Sequence, residues 1–379
     1  MCNTTGTPIS RKGRIVLRQS GSNHRGHSRV ATRLVTALIV MIVSLAALAT
    51  PQPSRAEPVI KAGVLKFGTV NWLLDVVQHN KLDQREGYRL EQLELARRDA
   101  TSVALLAGEV DTIVADWFWA LRERSAGEKL VFHPYSRTLG ALIVKKNGPI
   151  SSLADLKGRK LGVAGGPLDK SWLLLRAWSR KQEIGDVADI AQPVFAAPPL
   201  LAEQLRNGDL DAVLIYWHFA AKLEAAGFQQ LFGVDEFMHG LGIKNPPPLI
   251  GFLFRKPSSP PQQLAFAGFM RSVDAASQLL LESDAEWDRI RPRMGVRSDA
   301  EFETLRQRFR AGRLQDWTPA DTGSSKALFD LLLQTGGTKV VGRGVSFDPD
   351  VFKAQSSQSW RLNHSTHSVA LHGGWHRAS

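Results

Sequence analysis

Cysteine is all but missing: Cys2 is the only one in 379 residues, so no internal disulfide can form. No small-residue lipobox precedes it, which leaves a lipid anchor unsupported. Past residue 56 there is no thiol to bind zinc or act as a nucleophile. The first 56 residues contain eight Lys or Arg and no Asp or Glu. Also missing are a P-loop, a dinucleotide fingerprint, a Gly-x-Ser-x-Gly elbow, paired histidines on a helix face and an assignable acid/base pair. No catalytic residue, cofactor or metal site is therefore expected.

What the first residues do contain is an Arg-rich stretch at 11–33 running into an apolar stretch at 34–49, with small residues at Ser54 and Ala56. The apolar stretch has 16 residues, fewer than the roughly 20 needed to span a bilayer. This is the pattern of a secretory signal peptide over 1–56, cleaved after Ala56; an uncleaved anchor is the alternative. Export to the periplasm follows. Without the leader, 40 basic residues face 36 acidic ones, a net charge of +4 in place of +12. The high pI is thus a property of the leader, and no polybasic patch interleaved with aromatics remains to bind nucleic acid.

From residue 59 onward, short apolar runs alternate with helical periodicity, as in βαβ units on a largely parallel sheet. Strands are predicted at 59–66, 88–95, 110–115, 130–135 and 139–145, with helices between the first four. Asn147-Gly148-Pro149 then marks a boundary. A second series has strands at 159–163, 193–196 and 210–215 and helices at 171–181, 198–206 and 217–226. The segment GEVDTIVADWFWA at 108–120 aligns without a gap to GDLDAVLIYWHFA at 208–220, a repeat of period 100. Gly108 and Gly208 fit helix C-caps, and Asp111 and Asp211 start strands.

Two lobes are therefore expected, at 57–145 and 146–247. Residues 248–353 return to the first lobe through a strand at 249–256 and end in helices packed on it. The tail at 354–379 is polar and aperiodic and reads as disordered. His364, His367, His372 and His376 within it make no built metal site.

The segment SSLADLKGRKLGV at 151–163, supported by residues 108–114 and 61–68, resembles the sulfonate, nitrate and taurine branch of periplasmic substrate-binding proteins that serve ABC importers. The resemblance covers residues 58–300. It implies a type II periplasmic-binding-protein fold, with two α/β lobes joined by a two-strand hinge and extra C-terminal helices. It also implies a monomer that binds a small organic ligand and passes it to a membrane permease and its ATPase. The sequence departs from relatives in lacking the Cys-rich motif of the thiamine-pyrimidine branch and in carrying more aromatics after the repeat strands.

Ligands of open α/β sheets bind beyond the carboxyl ends of the strands. The candidates in the first lobe are Phe67, Thr69, Asn71, Trp72, Asp116 and Trp117. In the second they are Gly166, Leu168, Asp169, Ser171, Tyr216, Trp217 and His218. Trp117 and Trp217, matched in the repeat, could wall a cleft, or could cap their own sheets, and Trp72 could equally belong to a core. Asp116 favours a cationic or hydroxyl-bearing ligand unless it caps the next helix. The helix start after Gly165-Gly166 favours an anion unless Asp169 caps it. A zwitterion or mixed aromatic acid thus stands beside a simple sulfonate. Two other readings remain open: an exported enzyme on the same fold acting on a pyrimidine or aromatic substrate, and a ligand-free periplasmic accessory protein.

Overall fold

The computed structural model describes residues 57–314 and 317–355. Residues 1–56, where a signal peptide is expected, and the stretch from 356 onward, with its four histidines, lie outside the described residues. Two five-stranded sheets form the frame. The first has the order β2-β1-β3-β10-β4, built from β1 (Val59–Leu65), β2 (Arg89–Leu95), β3 (Thr112–Asp116), β4 (Leu130–Pro134) and β10 (Ile250–Arg255). The second has the order β7-β6-β8-β5-β9, from β5 (Ala141–Lys145), β6 (Lys160–Ala164), β7 (Gln192–Ala196), β8 (Ala212–Ile215) and β9 (Phe228–Gly233). In each, three parallel strands are followed by an antiparallel strand arriving from the other sheet. Central strands such as β8 are buried on both faces, as their unbroken apolar runs require.

The internal repeat is reproduced in detail. Gly108 and Gly208 cap helices α2 (Arg98–Ala107) and α5 (Pro198–Asn207) at φ of 78° and 81°, a left-handed conformation that a Cβ disfavours. Asp111 Oδ2 accepts from the Lys61 amide at 2.8 Å, and Asp211 Oδ2 accepts from the Lys160 amide at 2.8 Å. Each aspartate ties the start of its strand to the neighbouring parallel strand, β1 or β6.

Two sequence expectations are corrected. The sequence places the strand at 139–145 in the first lobe, but β5 pairs with β8 and β9, so the chain has already crossed to the second sheet by residue 141. Strand periodicity identifies a strand without naming its neighbours. The segment 228–240, unassigned from the sequence, forms β9 and helix α7 (Val234–Gly240); the polar Gln229 and Gln230 obscure the strand pattern.

The C-terminal helices also depart from expectation. Helices α8 (Pro260–Glu282) and α9 (Asp284–Ile290) pack on α1 (Val70–His79) of the first lobe, as expected. Helix α10 (Asp299–Ala311) instead lies along α6 (Trp217–Ala225) of the second lobe, and α11 (Pro319–Gly336) packs on α4 (Lys170–Lys181). The α10 contact is reinforced by Arg308–Glu224 at 2.6 Å and by Lys222 Nζ donating to the carbonyls of Met294 and Gly295 at 2.9 and 2.8 Å. An amphipathic pattern reveals that a helix has an apolar face, and many surfaces can cover it. Among the described residues no helix is long and apolar enough to cross a membrane.

Candidate functional site

Beyond the carboxyl ends of parallel strands from both sheets, four charged side chains (Asp116, Lys170, Arg98 and Asp169) and Tyr216 come together. Asp116, at the end of β3, caps helix α3 (Trp117–Ser125): its Oδ1 accepts from the Trp119 amide at 3.0 Å. Its Oδ2 accepts from Lys170 Nζ of the opposite lobe at 3.0 Å and lies 3.7 Å from Arg98. Arg98 opens α2, just beyond the end of β2, and also reaches Tyr216 Oη of the second lobe at 3.4 Å. The Lys170 ammonium stands 5.9 Å above the Phe118 ring, which helps to hold it.

Burial by itself would raise the Asp116 carboxyl, but Lys170 and Arg98 beside it outweigh burial and hold it at about 2. Against an ordinary value near 3.9, this interaction stabilises the fold fully above about pH 4 and is lost as pH falls through about 2; it amounts to about 2 kcal/mol. The stability difference between wild type and Asp116→Asn, read from urea midpoints, should therefore shrink as pH is lowered from 5 to 2. A constant difference across that range would show that Asp116 carries no such pairing. Asp169 is shifted the other way, chiefly by burial.

The helix start that sequence reasoning offered as an anion site is already occupied. Asp169 Oδ1 accepts from the amides of Ser171 and Trp172 at 2.9 and 3.4 Å, so two of the free N–H groups of α4 are satisfied from within. Gly165 is packed against this cap: a Cβ there would lie 2.4 Å from Asp169 Oδ2 and 2.8 Å from Tyr216 Oη. Gly166, by contrast, has open space around its Cα.

The remaining candidates separate clearly. Phe67 and Leu168, in the loops after β1 and β6, are 49% and 47% exposed. Thr69 is buried and shares a side-chain hydrogen bond with Tyr135. Asn71 Nδ2 donates to the carbonyls of Leu65 and Lys66 at 3.0 and 3.3 Å, closing the turn after β1.

The three tryptophans are not free cleft walls. Trp117 is 0% exposed, stacked on Phe118 with ring centroids 3.9 Å apart, and its indole donates to the Pro248 carbonyl at 3.2 Å. Trp72 and Trp217 are buried edge to face at 6.2 Å in a cluster with Trp287 and Phe309. Apolar area decides this, since large aromatics gain most from full burial. His218 lies beside Trp217 and Phe219, both ring nitrogens buried with no hydrogen-bond partner among the described residues. Burial, and then Lys222, push its imidazole down to about 3, so it stays neutral.

Arg98 was missed from the sequence. It follows β2, and the strand-end rule applied to β2 as it was to β1 and β3 would have found it.

A separate cavity of about 650 Å³ adjoins the crossovers between lobes, lined in part by Arg137, Trp217, Glu224, Lys244, Arg308 and Asp321. Its arginines are paired internally, Arg137 with Asp321 at 2.7 Å and Arg308 with Glu224 at 2.6 Å. Among the described residues, no group of three His, Cys, Asp or Glu could hold a metal ion.

The arrangement has counterparts among solved structures. The alkanesulfonate-binding protein SsuA of Xanthomonas axonopodis pv. citri, bound to MOPS, is 19% identical with a TM-score of 0.59, over 76% of this chain and 96% of its own. The periplasmic aliphatic sulphonate binding protein SsuA of Escherichia coli is 18% identical with a TM-score of 0.62, over 79% and 98%. This chain has the type II periplasmic-binding-protein fold. Residues 122–231 also match the NMT1/THI5 like family, and this stretch contains the 151–163 segment that carried the sequence resemblance. The desulfurization enzyme DSZB shares the fold at 14% identity and a TM-score of 0.52, over 74% of this chain and 92% of its own. No curated protein is significantly similar in sequence. At these identities the structural likeness establishes the fold; the ligand must be argued from this chain's own residues.

Proposed function

We propose that this protein is the exported solute-binding component of an ABC importer, taking a small organic acid between its lobes and delivering it to a membrane permease and ATPase. The observation that carries the reading is Arg98. Its side chain is about half exposed at the meeting of the two sheets, and both its contacts, at 3.7 and 3.4 Å, are long. A guanidinium so placed keeps donors for a sulfonate or carboxylate. Exposed Phe67 and Leu168 supply apolar surface for an organic tail, and open Gly166 permits close approach of a ligand to backbone.

The non-catalytic reading is supported by the state of the two groups closest to acid/base chemistry. Asp116 is held ionised between two cations, and His218 is held neutral in an apolar setting, so neither is poised near neutral pH. The N-terminal signal pattern supports a periplasmic location.

The test is ligand-induced thermal stabilisation of the purified protein across alkanesulfonates and short carboxylates, followed by calorimetry on Arg98→Ala. Saturable binding weakened about a hundredfold by the substitution is expected, the scale of a lost charge-assisted hydrogen-bond pair. Turnover of any of these compounds, or their failure to bind, would remove the proposal.

A further inference from the structure

We propose that Lys170 selects among solutes: its ammonium occupies, on Asp116, the place a solute's own amine would need, so the cleft takes organic acids and turns away the matching amino acids and aminosulfonates. The inference rests on the solute-binding reading above and deepens it.

A carboxylate at the end of β3 would by itself favour a cationic group, as the sequence suggested. Each of its oxygens instead already accepts a hydrogen bond from this chain. Oδ1 accepts from Trp119 N at 3.0 Å, and Oδ2 accepts from Lys170 Nζ at 3.0 Å with Arg98 at 3.7 Å. The Asp116 and Lys170 side chains are only 8% and 14% exposed, so solvent screens the pair weakly. The second carboxylate, Asp169, is committed through one oxygen: its Oδ1 caps α4, while its Oδ2 lies against Gly165. At Asp116, where a solute's ammonium would meet a carboxylate already paired across the site, both oxygens are taken by this chain. The cations are less fully matched, because the Arg98 guanidinium has only long contacts.

A free amine would have to displace one that is tethered to the same molecule. An intramolecular group acts at an effective concentration of millimolar or above, which dilute solute cannot match. Placing a solute's ammonium beside Lys170 without displacing it would add like-charge repulsion. Lys170 also joins opposite lobes, so the pair that excludes the amine forms only when Asp116 and α4 are together.

The experiment uses pairs of compounds that differ only in an amino group: ethanesulfonate and taurine, propanesulfonate and homotaurine, propionate and β-alanine. Affinities are measured by calorimetry on the full exported protein and on Lys170→Met, which keeps the length of the side chain and removes its charge. The wild type should bind the amine-free member of at least one pair tenfold or more tighter than its partner. In Lys170→Met that preference should fall by at least tenfold or reverse, because Asp116 is released. Wild-type binding of taurine, homotaurine and β-alanine each as tight as that of the matching acid overturns the proposal while leaving the solute-binding reading intact. So does a Lys170→Met protein that keeps the wild-type ratio. Should the variant fail to fold, the wild-type ratio alone decides. No binding of any acid by the wild type sinks the solute-binding reading and this inference together.

Discussion

Replacing Trp217 with alanine should lower the unfolding free energy by about 3–5 kcal/mol and loosen the two lobes from one another. Trp217 opens α6 of the second lobe, yet its ring is buried in a cluster contributed largely by the first lobe and the C-terminal helices, against Trp72 at 6.2 Å and Phe309 at 6.4 Å. Its loss would leave a void at the point where α10 joins α6. The surrounding ion pair Arg308–Glu224 is partly exposed and cannot make good the lost burial. Urea unfolding should show the loss of stability, and small-angle scattering should show a larger radius of gyration. Unchanged values of both would mean that Trp217 does not hold the lobes together.

Gly251→Ala should cost about 3 kcal/mol, the upper part of the range for overpacking, although it adds one methyl group. Gly251 lies in β10 where the chain returns to the first sheet, facing β4. A Cβ there would stand 2.3 Å from the His133 carbonyl oxygen and 2.7 Å from the Pro134 Cα. Both obstacles are backbone in a paired strand, so no flexible side chain can move aside. Gly140, beside the other crossover, meets the Ile215 carbonyl oxygen at 2.4 Å in the same way. The control is Gly166→Ala, where φ is +88° but space is open, and about 1–2 kcal/mol is expected from the left-handed backbone alone. Equal losses for the two variants, in urea midpoints, would refute the close-approach argument.

The candidate site was partly legible because strand ends are local features. The βα turns after β1, β3, β6 and β8 follow from periodicity, and Asp116, Asp169 and Tyr216 were found from them. What those side chains do was harder to read, because it depends on partners. Asp116 has two roles at once: the N-cap was foreseeable from sequence, since its partner Trp119 is three residues away, whereas the partner Lys170 is 54 positions away. Asp169 resolved in favour of the cap, with its partners again two and three residues away.

By itself the sequence determined the order of most strands and helices, β9 and α7 excepted, the duplicated βα unit and the glycine and aspartate positions that begin and end its elements. All of these depend on backbone preferences and hydrophobic spacing over a few residues. Tertiary structure alone decided that β5 joins the second sheet, that α10 and α11 bridge the lobes, and that Trp72, Trp117 and Trp217 are buried in aromatic clusters. It also brought Lys170 to Asp116 from the opposite lobe. The physical reason is common to all four: an apolar face or a charge encodes the need for a partner, and only the path of the whole chain determines which partner arrives.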